Sequence, residues 1–281
     1  MLLEQETNQG QGIARNLAIE KATGEYIAFV DPDDWIELNA LETLYNFAKE
    51  KDAKIIQFNS KEYYKNAVKE NSFARRIKRL YGFNLIKIPQ YNWRNFRVKC
   101  LTRLEVHVWN YFYKTSFIKE NNIEFATGRM NEDQLFSLGA LLVADNIYYL
   151  NEFLYCYRCR EGSAVNSRRE EHFCVFDNIL QVKNFIIKHN LWNELKEEFE
   201  RYHMQCLVRN YNRIPLDKIS EYEDMCSKSL SPKEFKSFLK QARQGRNFVE
   251  NLFSIKNKKE NGVKYKVVVI LGICFSLFKK G

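Results

Sequence analysis

A sheet covered by helices, followed by an all-helical region, is the fold class that the sequence predicts, and three observations lead to it. Short unbroken apolar runs alternate with helically spaced ones through the first sixty residues, the order that layers helices on a sheet. From about Glu170 the pattern becomes helical throughout. With 45% hydrophobic and 15% aromatic residues in 281, four prolines and eleven glycines, the composition is that of a chain with a real core and no long flexible linker.

The elements follow in order. Ile13, Ala14, Leu17 and Ala18 have helical spacing over Gly12 to Ala22, and Gly24 is placed as a C-terminal cap. Tyr26 to Val30 is too short for a helix and reads as a strand buried on both faces, stopped by the acidic cluster Asp31, Pro32, Asp33, Asp34. Leu38, Leu41, Leu44, Tyr45 and Ala48 mark a second helix, and Lys54 to Phe58 a second strand. This helix-strand alternation predicts a mostly parallel sheet, with the acidic cluster past the carboxyl end of a strand, where open α/β sheets bind ligands. Val106 to Tyr113 and Ile147 to Tyr157 read as further strands, and Asn131 to Ala144 as a helix with Leu135, Leu138, Leu142 and Val143 on its apolar side. Helices are expected over Phe173 to Asn190, Leu191 to Arg209 and Pro232 to Asn251. The organisation is thus a sheet domain over 1–169 with a basic segment at 61–104, a helical region at 170–252, and a basic, apolar tail at 253–281.

The net charge of +9 is concentrated: twelve Lys/Arg stand between Lys61 and Arg103 against only Glu62 and Glu70. Aromatic residues are interleaved there, a pattern suited to an anionic membrane or nucleic acid, but no nucleic-acid-binding module accompanies it and no nucleic-acid partner is expected. The seven cysteines are odd in number and scattered, which reads as reduced and intracellular. Cys156 and Cys159 form a C-x-x-C without the second pair a structural zinc site needs. The start, Met1-Leu2-Leu3-Glu4-Gln5-Glu6, is unlike a signal peptide. The longest apolar run, Val267 to Phe278, falls short of the roughly 20 residues that span a bilayer. Lysines flank that run, so it suits either an interfacial segment on anionic lipids or a final strand.

Four constellations can carry chemistry. Two carboxylates two residues apart, Asp31 and Asp33, can bind a hard cation, Mg²⁺ or Mn²⁺, that in turn holds a diphosphate; the same cluster also suits a plain acidic turn whose last Asp caps a helix. Glu132 and Asp133 open a helix, where acids commonly complement the helix dipole, and where a carboxylate can also serve as general base. Asn8 to Arg15 brings two glycines and an arginine to a helix start, a phosphate-binding arrangement or an ordinary turn. Tyr157 to Ser163, with Arg158 and Arg160, is a basic loop suited to closing over a diphosphate or simply solvated. The four histidines make no metal spacing, and there is no G-x-S-x-G or P-loop.

In their order these signals are specific. Asn8-Gln-Gly-Gln-Gly-Ile-Ala-Arg-Asn16 followed by Ala22-Thr-Gly-Glu-Tyr-Ile-Ala-Phe-Val-Asp-Pro-Asp-Asp-Trp35 resembles the central stretch of bacterial family 2 glycosyltransferases of GT-A fold. The resemblance continues through Trp109-Asn-Tyr-Phe-Tyr-Lys114, Asn131-Glu-Asp-Gln-Leu-Phe136 and Tyr155-Cys-Tyr-Arg-Cys-Arg-Glu-Gly-Ser163, covering about residues 5 to 165.

It implies a GT-A-like mixed sheet with flanking helices, lacking the first strands that such enzymes place ahead of this stretch, and a C-terminal helical appendage. It further implies that Asp31 touches nucleotide or metal, that Asp33 is the main protein ligand of the divalent cation, and that Asp133, with Glu132 beside it, is the catalytic base. Asn8, Arg15, Arg158, Arg160 and Ser163 would contact the donor. The implied activity is inverting, metal-dependent transfer of a sugar from a nucleotide-sugar donor to a surface-glycan or lipid-linked acceptor, as in polysaccharide or lipooligosaccharide assembly. The expected location is cytoplasmic, peripheral on the inner membrane face. The alternative is an inactive remnant that acts at most as a membrane-associated binding protein.

Overall fold

A computed structural model of the chain describes residues 3–82, 84–87, 89–96, 100–104, 106–128, 130–159 and 168–244, together with three strands between 253 and 280. It comprises two compact units, Met1–Cys206 and Leu207–Gly281, and the division falls within one long helix.

The first unit is built in the order α1 (Gln11–Lys21), β1 (Tyr26–Ala28), β2 (Trp35–Ile36), α2 (Ala40–Lys51), β3 (Ile55–Tyr64), β4 (Ala67–Asn71), α3 (Phe73–Tyr81), β5 (Gln90–Tyr91), α4 (Cys100–Arg103), β6 (Tyr111–Lys114), α5 (Thr115–Glu120), α6 (Asp133–Val143), β7 (Ile147–Arg158) and α7 (Val175–Lys188). α8 (Trp192–Tyr211) runs into the second unit, which holds α9 (Ile219–Ser229), α10 (Pro232–Gln244), β8 (Phe253–Glu260), β9 (Val263–Ile270) and β10 (Ile273–Lys280).

The first unit's sheet has the order β1-β6-β3-β7-β2, with β4 added to β3 and β5 to β7. Among the described residues only β3 and β7 pair in parallel; the other pairs are antiparallel. The mostly parallel sheet expected from the alternation is therefore a mixed one. Helix-strand alternation sets parallel pairing only where a helix carries the chain back along the sheet, whereas β4 returns through a tight hairpin.

β3 is the spine of this unit. Its first six residues are buried, and two of their polar members are satisfied internally: Gln57 donates to the Tyr111 hydroxyl at 3.0 Å, and Asn59 accepts from the Tyr149 hydroxyl at 2.8 Å. Around Ile56 and Phe58 pack Leu44, Ala48, Phe112, Leu154 and Tyr155. Ala40, Leu44 and Ala48 fall on one face of α2 at i, i+4, i+8, whereas Leu38, Leu41 and Tyr45, expected on that face, are exposed. Leu38 precedes the helix, and the other two sit a quarter turn off the buried stripe.

Other expectations are corrected. Tyr26 to Val30 is not a doubly buried strand: β1 lies at the end of the strand order, its residues are half-buried, and Val30 is exposed. Gly24 does not cap α1; Ala22 does, in extended conformation with its N–H on the Ile19 carbonyl, while the Gly24 carbonyl accepts from Thr115 Oγ1. Val106 to Tyr113 divides into a 3-10 turn at Val108–Asn110 and β6. α9 was not foreseen, and α6 is buried nearly all round rather than on one stripe. The tail is not a lone strand: its apolar run is split between β9 and β10, which form an antiparallel meander with β8. No described helix is long and apolar enough to cross a membrane.

Candidate active site

The site begins at the entry to α1. Asn8 Oδ1 accepts from the Gly10 N–H at 3.0 Å, and Gly10, the N-cap residue, has φ 95°, a conformation suited to glycine. Gly12 is buried for a different reason. A Cβ there would meet the Ala126 carbonyl at 2.5 Å and Glu132 Cγ at 3.0 Å, so α1 rests backbone-close against the segment that leads into α6. A cleft of about 710 Å³ opens beside this helix start, its lining including Asn8, Gly10, Gln11, Met130 and Arg169.

One turn inside α1, Arg15 forks between two acids. Its Nη2 donates to Asp31 Oδ1 at 2.6 Å and its Nη1 to Glu132 Oε1 at 3.0 Å, while its guanidinium lies 5.3 Å from the Phe125 ring centre. Three positions separated by up to 117 residues in the chain thus converge on one cation. Glu132 is 2% exposed, and a charge that deeply placed requires such a partner.

The acidic cluster is a tight turn, with the Asp34 N–H on the Asp31 carbonyl at 3.0 Å. Asp34 caps no helix; α2 starts from Asn39. Its carboxylate instead accepts from the Arg158 backbone N–H at 2.8 Å and the Tyr155 hydroxyl at 2.7 Å, and that hydroxyl accepts in turn from the Asp31 N–H at 3.1 Å. Tyr155 is held by stacking on Trp109, ring centres 4.4 Å apart. Burial raises both the Asp34 carboxyl and the Tyr155 phenol above their ordinary values. Asp34 therefore braces the turn against β7.

Asn131, with φ 57°, turns the chain into α6, and the Asn178 side-chain amide of α7 donates to the Met130 carbonyl at 2.7 Å. Glu132 at the N-cap position makes no capping hydrogen bond; it turns to Arg15. Asp133 in the first turn is pushed up to about 7, first by burial and then by the neighbouring Glu132 charge, with Arg15 opposing. Glu132 is also raised, chiefly by burial. A carboxyl near neutrality can take up a proton at physiological pH, as a general base must.

Of the residues expected from sequence, Arg15, Asp31 and Glu132 are in direct contact, and Asp133 shares their field. Asn8 turns back on the α1 entry. The Arg158 backbone N–H serves Asp34, and its guanidinium lies 5.2 Å over the Trp35 ring. Arg160 and Ser163 lie outside the described residues. Cys156 is buried in β7, and no group of three or more His, Cys, Asp or Glu able to hold a metal occurs among the described residues. His172 is fully buried. Tyr155, Asp34 and Asn178 were not foreseen as site supports.

Residues 2–112 match the family model described as glycosyl transferase family 2. Over 239 residues, 80% of this chain and 74% of the relative, the chain is 27% identical to glycosyltransferase GlyG of Streptococcus pneumoniae serotype 4. It is 31% identical to GlyA of the same organism over 58% of this chain and 23% of the relative, and 30% identical to the glycosyltransferase YibD of Escherichia coli K12 over 59% and 47%. The chain thus spans less than half the length of two of these three relatives. The crystal structure of S. aureus TarS 1-349 in complex with UDP-GlcNAc superposes with a TM-score of 0.51 at 19% identity, covering 100% of this chain and 82% of that one. The match over residues 2–112 is thus to glycosyl transferase family 2, and the fold is that of the TarS structure, the GT-A fold.

Proposed function

We propose that the chain transfers a sugar from a nucleotide-sugar donor to a hydroxyl of a surface-glycan or lipid-linked acceptor, with inversion, at the inner face of the cytoplasmic membrane. The observation that carries this reading is the convergence of Arg15, Asp31 and Glu132, with Asp133 raised to about 7 beside them. Asp133 Oδ takes the proton of the acceptor hydroxyl as that oxygen bonds to the anomeric carbon, and the bond from that carbon to the diphosphate breaks in the same displacement. Arg15, placed one turn inside α1, neutralises charge on the departing diphosphate, and Glu132 holds Arg15 in place.

The donor set fits a divalent cation. Asp31 and Asp33 supply two hard oxygen ligands, and Mg²⁺ or Mn²⁺ commonly needs only one or two carboxylates plus substrate phosphates, so a third protein acid is not required. When bound, the cation supplies further charge neutralisation to the leaving diphosphate. In this scheme Asn8, at the α1 entry, contacts the donor. Release of sugar from UDP-GlcNAc by the purified chain with Mn²⁺, above a metal-free control, tests the reading. No release from a panel of nucleotide-sugars, with donor binding retained, would make the chain a binding protein instead.

A further inference from the structure

The acidic turn has a second side. Past Asp34 a cleft of about 820 Å³ opens between β2, the β3–β4 hairpin and the end of β7, its walls including Trp35, Tyr63, Tyr64, Lys65, Asn66 and Arg158. This volume lies within the ~300–1,000 Å³ range of small-molecule sites. The cleft adjoins the turn through the chain itself: Trp35 follows Asp34, and the Arg158 N–H is bonded to the Asp34 carboxylate at 2.8 Å.

Its walls are aromatic and cationic. Trp35 and Tyr63 lie with ring centres 4.7 Å apart, and the Arg158 guanidinium covers Trp35 at 5.2 Å. Tyr64 is tethered at its rim by a 2.8 Å bond to Glu62 and is 47% exposed, so the ring is held while much of it meets solvent. Lys65 stands exposed at the hairpin tip. No carboxylate is among the described residues that line this cleft.

A sugar ring presents a face of polarised C–H bonds that rests on the electron-rich face of an aromatic ring. A lysine and an arginine beside such a platform, with no carboxylate among the described lining residues, select ligands that also carry negative charge. We propose that this cleft binds the acceptor as a saccharide chain bearing anionic groups, phosphate or carboxylate. The assignment rests on the transferase reading above, because it places the acceptor beside the turn that holds Asp31 and Asp33.

The test uses calorimetry on the full chain with three probes: maltotriose, an oligogalacturonate and an oligo(glycerol phosphate), with UDP-GlcNAc as the donor control. The native chain and the variants Tyr64→Ala and Lys65→Ala are compared, with circular dichroism to confirm folding. At least one anionic probe should bind in preference to maltotriose, and each substitution should weaken it roughly tenfold, the loss of one stacked ring or one charge-assisted contact, with donor affinity unchanged. The carboxylate and phosphate probes tell the two anionic groups apart. The proposal is overturned if neither anionic probe binds, if maltotriose binds as well as they do, or if both variants bind within twofold of the native chain. Donor binding with probes indifferent to the variants removes the cleft and leaves the transferase reading; probe binding lost in the variants without any donor binding does the reverse.

Discussion

Gly12→Ala tests how α1 delivers Arg15. Ordinary carbon–oxygen contact begins near 3.4 Å, whereas the new methyl would sit 2.5 Å from the Ala126 carbonyl, so α1 must retreat by about 0.9 Å. The obstacle is backbone and the buried stem of Glu132, neither of which swings aside as a flexible side-chain tip would. Retreat on that scale carries the 3.0 Å Arg15–Glu132 contact beyond hydrogen-bond length. Overpacking costs about 1–3 kcal/mol, and replacing a helical glycine returns about 1 kcal/mol, so the net loss of stability is between about 0 and 2 kcal/mol. The melting temperature should fall by no more than about 8 °C. Catalysis should suffer far more, since displacing a positioned group by about 1 Å can cost about a hundredfold. Donor hydrolysis and thermal denaturation of Gly12→Ala are compared with those of Gly24→Ala, where the nearest atom is an ordinary 3.4 Å away and nothing should change. If Gly12→Ala keeps its rate within about threefold, the close contact does not position Arg15.

Asp133→Asn should remove transfer and spare donor affinity by calorimetry; affinity falling in step with rate would make the residue positional. In the native chain the rate should rise with pH through about 7, as Asp133 loses its proton. Because its folded pKa is raised, the folded state binds the extra proton between about 4 and 7, so stability should decline as pH rises through that window, and the Asn variant should lack this decline. Asp33→Ala should abolish metal-dependent transfer with the circular dichroism spectrum intact, and full turnover retained by the variant with Mn²⁺ would refute its role as ligand. In the tail, the register pairs Lys264 with Lys259 on one side and with Lys280 on the other. The chain should sediment with anionic vesicles at low salt, at about 1 kcal/mol per lysine, and lose this on removal of residues 256–281. Failure to sediment at low salt would refute the membrane role.

What was legible in sequence was local. The α1 spacing, the acidic turn and the Glu132–Asp133 helix start each follow from a few neighbouring residues, and each stands within a residue or two of its expected place. What was not legible depended on pairing between distant segments. Tyr155 joins the site because β2 lies against β7 with Trp35 opposite Cys156, and no spacing along the chain announces that register. Gly12 suited either a phosphate contact or an ordinary turn, whereas its burial is set by a carbonyl 114 positions away. α9 escaped notice because only Tyr222 and Cys226 of its eleven residues are buried, too few for a helical stripe to stand out. The edge position of β1 was hidden for the opposite reason, since an unbroken apolar run looks the same at a sheet's centre and at its margin.

Asn16 has a consequence of its own. Its side-chain amide donates to the Phe125 carbonyl at 3.0 Å and accepts from the Phe125 N–H at 2.8 Å, imitating one rung of a sheet between a helix and a loop. Of α1's eleven residues only Gly12 and Ile19 are buried, so this rung and the Arg15 fork carry much of the docking that apolar burial supplies elsewhere. A helix anchored by a few polar contacts sits at the low end of local opening free energies. Amide exchange should therefore reach α1 well before the buried first half of β3, and an anion that engages Arg15 should slow it. The arginine is on a latch, and occupancy of the site closes it.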